Sequence, residues 1–464
     1  RRAGVHRGVL HETRDQAGLF APVVKATFVP ERPQDVAPAV AEALGLASEP
    51  PAGPVYVGVA TDLLRGEAPT AATGPPPAVV PPDPAEVRRG AALLAGAQRP
   101  LIWAGGGALR AGAGEAIGAL ARRLAAPVLT TYGARGLLPA GHPCDVGAPP
   151  HVPEAGALWD EADVVLGVGT DFDGMTTQNW AQPAPPALVA VNVDPVDAGK
   201  NYAVDVTIVA DAAAGTAALH ERLGGDSADG DGSGRLGALA ERLAGVRAAV
   251  AERIAADEPQ AVGLLEGLDA ALPADAVVFA DMCIPGYWAA GFLPVPRPRR
   301  LAYPVGWGTL GFAFPAALGA ALAGPPVVCL CGDGGFLFAC GELATAAQER
   351  IPLTVVLVDD GGYGMLRYDQ GAAGQAPFGT NLDAPDFPAL AGAFGVRADA
   401  VEGFGPAFAD RLAEHLAARE PTLLAVAATL KPPPTTSPRW YRKSTAAPAA
   451  PIPSTVSGGP HGRH

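Results

Sequence analysis

From residue 84 onward the chain alternates short apolar runs with helical segments, and most of the runs close on a turn of Gly or Asp. The runs PLIWAGGG, DVVLGVG, LVAVNVD, PVVCLCGDG and PLTVVLVDD lack the apolar–polar alternation of a half-solvated strand. Strands that are apolar on both faces need cover on both faces, and the helices between them supply it. The rhythm predicts an α/β fold of parallel sheets flanked by helices.

Two breaks divide this pattern. Residues 68–84, with TAATGPPPAVVPPDP, carry too much proline for a packed element and read as a linker. Residues 223–237, LGGDSADGDGSGRLG, are polar, glycine-rich and aperiodic, a second linker. The expected units are therefore 1–67, 85–222 and 238–430, followed by a Pro/Ser/Thr-rich tail over 431–464. Helices are expected over 84–97, 112–125, 238–256, 261–271, 309–323, 337–349 and 387–394, with a loop between the strand at 352–360 and the last of these.

A chain of 464 residues with 49% hydrophobic content has enough material for large buried cores. Its net charge of −14 argues against nucleic acid or an anionic membrane surface as partner. No apolar run is long enough to cross a bilayer and no signal peptide is visible. The five cysteines show no paired zinc-type spacing, so they read as small core residues in a reducing, cytoplasmic protein. The glycines of LIWAGGGALRAG do not form a clean GxGxxG, which leaves a nicotinamide-dependent dehydrogenase as a poor alternative.

The chemistry concentrates in CGDGGFLFACGELATAAQERIPLTVVLVDDGGYG, residues 331–364. One strand ends on Gly332-Asp333-Gly334-Gly335, and the next, 27 residues on, ends on Asp360-Gly361-Gly362. Ligands of open parallel sheets lie at the carboxyl ends of the strands. Glycines let backbone N–H groups approach an anion there, but a carboxylate beside a bare phosphate would repel it. A divalent cation between them removes the conflict, since Mg²⁺ commonly shares a carboxylate with phosphate oxygens. Asp and Gly are also what any turn favours, but the pairing of two such turns across one helix points to a metal-clamped diphosphate.

These residues, with LAYPVGWGTLGFAFPAALGAALAG before them, resemble the thiamine diphosphate enzymes of the acetolactate synthase and 2-oxoacid decarboxylase group along all of 301–364, and more weakly over 85–211 and 1–67. The resemblance implies a diphosphate-binding domain over 238–430, a Rossmann-like middle domain over 85–222, and in 1–67 the end of a pyrimidine-binding domain. By resemblance Asp333, the Asp360 side chain and the Gly362 carbonyl ligate Mg²⁺, and Gly332, Gly334, Gly335, Phe336, Gly361 and Tyr363 line the diphosphate. Leu310 would bend the cofactor, Gly308 and the Leu310 N–H would hold its aminopyrimidine edge beside Thr309, and Asp281-Met282-Cys283 would touch the diphosphate. Where the family carries asparagine, this chain has Asp360, with Asp359 before it. Leu366 and Asp369 match neither specialised pattern of the group, so the 2-oxo acid is open, and Arg367 reads either as a substrate-carboxylate partner or as a solvated surface residue. Trp288, Trp307 and Tyr363 are candidate walls of the cleft. FAD in the middle domain is undecided.

The family's activating glutamate precedes the segment matched by 1–67, and Glu12 reads as a bystander. The expectation is that the upstream part of that domain is missing and that no catalytic acid is identifiable here. The implied function is decarboxylation of a 2-oxo acid with release or transfer of the activated aldehyde, in a homo-oligomer with active sites at a dimer interface. The alternative is a catalytically silent protein of the same fold.

Overall fold

The computed structural model describes residues 13–67, 79–225 and 232–433. Glu12, most of the first linker, 226–231 and the tail beyond 433 lie outside the described residues. Among the described residues thirteen strands form three sheets. In the first, β1 (Thr27–Phe28) and β2 (Tyr56–Val57) pair in parallel around helix Pro33–Ser48.

The second sheet has the order β4-β3-β5-β6-β7, built from β3 (Pro100–Ala104), β4 (Val128–Thr130), β5 (Val164–Val168), β6 (Leu188–Asn192) and β7 (Val206–Val209). All its pairings are parallel. Every residue of β3, β5 and β6 is buried, as expected for strands with helices on both faces. Pro84 opens helix Pro84–Gly96 behind Asp83, whose carboxylate accepts from the Ala85 N–H at 2.8 Å. At the switch point between β3 and β5 the two glycine turns lie against each other, the Gly107 N–H donating to the Gly169 carbonyl at 2.9 Å.

The third sheet has the order β12-β13-β11-β10-β8-β9. Its strands are β8 (Val277–Ala280), β9 (Leu301–Ala302), β10 (Val327–Gly332), β11 (Thr354–Asp359), β12 (Arg397–Glu402) and β13 (Thr422–Ala427), again all parallel. The chain leaves β8 for β9 on one side and β10 for β11 on the other. The gap between β8 and β10 is therefore a topological switch point, where a crevice opens at the carboxyl ends.

Helix Gly232–Asp257 joins the two larger sheets, and one apolar core runs through both. On the middle-sheet side its centre is aromatic. Trp103 meets Trp159 edge-on at 5.0 Å and Phe172 at 5.7 Å. Arg253 of the joining helix pairs with Glu154 at 2.6 Å, and Arg135 donates to the Leu293 carbonyl at 2.8 Å.

Four expected elements differ, the first being the helix expected over 238–256, which begins at Gly232 inside the stretch expected as the second linker. The helix expected over 309–323 occupies only Ala313–Ala321, because Gly308 and Gly311 hold positive φ (62° and 77°) in the turn before it. The helix expected over 337–349 is broken into Asp333–Phe336, a 3₁₀ turn at Cys340–Glu342 and Leu343–Glu349. Gly341, a poor helix former, lies in the 3₁₀ turn between the two helical pieces. The expected loop before 387 contains helix Gly364–Ala372.

Candidate cofactor site

Every residue singled out for cofactor or metal binding lies at the carboxyl edge of the third sheet. Asp281-Met282-Cys283 follow β8, Gly308-Thr309-Leu310 lie in the loop after β9, Gly332 to Phe336 end β10, and Asp360 to Tyr363 follow β11. Because β10 and β11 pair with Gly332 opposite Val358, the two aspartate turns leave the sheet side by side.

Asp333 is 1% exposed, and neither of its carboxylate oxygens has a hydrogen-bond partner among the described residues. The N–H groups of Gly334 and Gly362 come close enough to lower its pKa without reaching hydrogen-bond geometry. Burial dominates, and with Asp360 and Asp359 nearby it raises the carboxyl to about 7. A buried carboxylate with both oxygens unpaired is costly for the protein alone. A cation at the same place satisfies those oxygens, so the residues present fit a hard divalent metal. Among the described residues no three His, Cys, Asp or Glu side chains converge on one point. The second turn brings the Asp360 and Asp359 carboxylates within electrostatic reach of Asp333, and a main-chain oxygen faces the same cradle.

That oxygen belongs to Gly362, and it faces Gly334 across the crevice: a Cβ added at Gly334 would stand 3.2 Å from it and 2.8 Å from the Tyr363 ring. Gly335 is equally constrained, since a Cβ there would meet the Asp281 carboxylate at 2.7 Å. The glycines keep a backbone-lined cradle open between the turns. Gly362 has φ 141°, and a Cβ on it would collide with the Thr380 carbonyl. Thr380 is fixed by the Tyr363 N–H at 2.8 Å, and the Leu382 N–H by the Gly361 carbonyl at 3.0 Å. Gly362→Ala must therefore displace the turn. The expected cost is about 1–3 kcal/mol of stability, read in chemical unfolding against Gly45→Ala, whose Cβ would enter open space. Equal midpoints for the two variants would show that the turn yields freely.

Asp281 does not point at the crevice. It is 1% exposed, and its oxygens accept from the Gly311 and Phe312 N–H groups at 2.9 and 3.2 Å. It thus fixes the entry of helix Ala313–Ala321 and, through it, the Gly308–Leu310 loop. Burial still pushes its carboxyl up, against those backbone donors. The Met282 methyl closes over Gly308, where a Cβ would come within 2.9 Å, and its sulfur receives the Tyr303 hydroxyl at 2.9 Å. Burial raises the Cys283 thiol well above its ordinary value, so it is a packing residue. The Phe336 ring belongs to the core, tilted against Phe314 at 5.5 Å and edge-on to Phe387 at 6.1 Å; only its backbone is at the edge. Thr309 is exposed and Leu310 half-buried.

Trp288, taken from the sequence as a possible wall, is 1% exposed, and its indole donates to the Lys431 carbonyl at 2.8 Å in the core. Trp307 is 96% exposed beside the crevice. Arg367 is half-buried and bound to the second turn. Its guanidinium donates to the Asp360 carboxylate at 2.7 Å, to the Asp360 carbonyl at 2.6 Å and to the Gly361 carbonyl at 2.9 Å. Sequence reasoning missed this contact, along with Thr380. The available signal was a lone arginine seven residues beyond an aspartate turn, too weak without the helix that presents it.

Comparison with known proteins agrees with this geometry. The family model for the thiamine pyrophosphate enzyme central domain matches residues 87–219, and that for the thiamine pyrophosphate enzyme C-terminal TPP binding domain matches 282–426. A probable 2-ketoarginine decarboxylase of Pseudomonas aeruginosa is 35% identical over 396 residues, which is 84% of this chain and 69% of that protein. An acetolactate synthase of Mycobacterium bovis is 33% identical over 376 residues, 76% of this chain and 59% of the relative. A probable acetolactate synthase large subunit of Methanocaldococcus jannaschii is 30% identical over 439 residues, 88% and 72% respectively. The chain thus spans between 59% and 72% of these relatives' own lengths. With two matched domains in chain order and a glycine cradle facing a buried carboxylate, the chain belongs to the thiamine pyrophosphate enzymes.

Proposed function

We propose that the protein is a thiamine diphosphate- and Mg²⁺-dependent enzyme that decarboxylates a 2-oxo acid and either releases the remaining aldehyde or transfers it to a second carbonyl compound. The observation that carries this reading is Asp333, buried and unpartnered beside a second carboxylate turn at the switch point of a parallel sheet. When bound, thiamine diphosphate supplies the electron sink that lets the bond to the substrate carboxylate break. The chain's own residues do the rest. Asp333, the Asp360 carboxylate and the Gly362 carbonyl hold Mg²⁺, and Gly332, Gly334, Gly335, Gly361 and Tyr363 shape the diphosphate cradle. Gly308 and Leu310 orient the aminopyrimidine end, with Asp281 fixing their loop from behind. No residue of this chain is assigned as the activating acid.

In this reading 238–430 forms the diphosphate domain, 85–222 the middle domain and 1–67 part of the pyrimidine-binding domain. Around the crevice Val305, Trp307, Phe338, Leu366, Tyr368 and Phe378 are all at least 40% exposed. Large apolar side chains gathered at one rim favour a subunit contact there, so the active unit is a homo-oligomer with its sites at the interface. Five free cysteines suit a reducing, cytoplasmic setting, and no described helix is long and apolar enough to cross a membrane. Flavin in the middle domain is tested by absorbance of the purified protein.

The decisive experiment follows CO₂ release by the native protein, purified from its host, from pyruvate, 2-oxobutyrate and 2-ketoarginine in the presence of thiamine diphosphate and Mg²⁺. Release from at least one substrate is expected, lost with a chelator and regained with Mg²⁺. Cofactor binding without any CO₂ would favour the silent-protein alternative.

A further inference from the structure

Two carboxylates on adjacent turns pose an electrostatic problem for a ligand that is itself a polyanion. Asp333 and Asp360 bring two negative charges to the place where a diphosphate would bind, and Asp359 adds a third next to them. One divalent cation does not balance such a set. The structure holds a second cation beside it. Arg367, on helix Gly364–Ala372, places its Nη2 2.7 Å from the Asp360 carboxylate and 2.6 Å from the Asp360 carbonyl. Its Nη1 reaches the Gly361 carbonyl at 2.9 Å and the Asn381 side chain at 3.3 Å. The two side chains of the pair are only 20% and 14% exposed, so water screens them weakly. A planar guanidinium is suited to this multiple engagement of one turn, which a lysine could not reproduce. Asp359 is held by the turn itself, its carboxylate accepting from the Gly361 N–H at 3.1 Å.

We propose that Arg367 is a positioning residue for the diphosphate: its guanidinium cancels the charge of Asp360 and clamps the second turn, so that two carboxylates can serve one cation without repelling the anion it carries. The proposal rests on the cofactor reading above. It assigns Arg367 to the cofactor through Asp360 and leaves it no part in holding the substrate carboxylate. It also separates the two ligands. Without Arg367 the site is more negative, which repels a diphosphate but does not weaken a bare cation.

Calorimetric titration of the purified protein tests this with thiamine diphosphate at saturating Mg²⁺ and, separately, with Mg²⁺ alone. Arg367→Ala is expected to weaken thiamine diphosphate about tenfold or more while Mg²⁺ alone binds at least as well as before. Adding Asp360→Asn to Arg367→Ala removes the uncompensated charge and should bring thiamine diphosphate affinity back to within about threefold of the unaltered protein. A merely structural role would weaken both ligands together and would not be rescued. The proposal is overturned if Arg367→Ala leaves thiamine diphosphate affinity unchanged, if both ligands weaken in parallel, or if the double variant binds no better than the single. Failure of the unaltered protein to bind thiamine diphosphate overturns the cofactor reading itself, and this inference with it.

Discussion

Replacing Asp333 with alanine should abolish Mg²⁺-dependent binding of thiamine diphosphate, a loss of at least about 100-fold in affinity. Residues that merely support a metal ligand already cost 10–100-fold when removed, and Asp333 is placed to be a ligand itself. The same substitution should not harm the fold. The carboxylate oxygens of Asp333 make no hydrogen bond among the described residues, and burial has raised the carboxyl to about 7. Deleting a buried, unpaired acid relieves a cost instead of creating one. The metal-free variant is therefore expected to melt at or above the temperature of the metal-free parent. Calorimetry and a thermal melt check both halves. Unchanged cofactor affinity would remove Asp333 from the metal site, and a large drop in melting temperature would show a structural role. Stability given up at a position that gains a ligand is the expected signature of a functional site.

Acid should destabilise the protein through His151, at the seam between the middle and third sheets. His151 lies in the loop before helix Pro153–Glu161, is wholly buried, and has its Nε2 3.2 Å from the Tyr132 hydroxyl while Nδ1 finds no partner among the described residues. Tyr132 in turn leans on Tyr303, so the cluster bridges the middle and third sheets. Burial alone lowers the imidazole to about 3. Between that value and the unfolded value near 6.5, the unfolded chain takes up a proton that the native state refuses. Stability is then complete above about pH 6.5 and falls as the pH drops through the window. The expected loss from this group is about 2 kcal/mol between pH 7.5 and pH 5. Chemical unfolding at the two pH values, compared with His151→Gln, measures it. Equal pH dependence in the two proteins would show that His151 does not carry the effect.

Much of the scaffold was legible because its strands are buried on both faces. Continuous apolar runs such as VVCLC and TVVLV have no other stable use between helices, and the glycine–aspartate turns that end them sit at the carboxyl edge where ligands bind. What escaped has equally physical reasons. Helix Gly364–Ala372 begins on glycine and has no buried residue, so it offers no apolar stripe to detect. Edge strand β12 is RADAVE, half exposed and without a β-branched run. Helix Ile284–Phe292 is buried almost all round and carries Pro285, Gly286 and Gly291, which hides its period. The site was legible to the level of turns but not of side-chain direction. Asp281 and Asp333 look alike in sequence, yet one is saturated by backbone donors and the other is left bare. Arg367 could not be assigned to Asp360 without the helix that carries it back over the turn.

Asp360 follows Asp333 by 27 positions, but the sheet makes that number incidental. The two turns are held abreast by the pairing of β10 with β11, whose strands lie roughly 4.8 Å apart whatever path joins them. The connecting stretch is already discontinuous, a broken helix with exposed Phe338 and Gly341 at its seam. An insertion or deletion engineered at that seam is therefore expected to leave the strand register, and with it the placing of both turns, undisturbed.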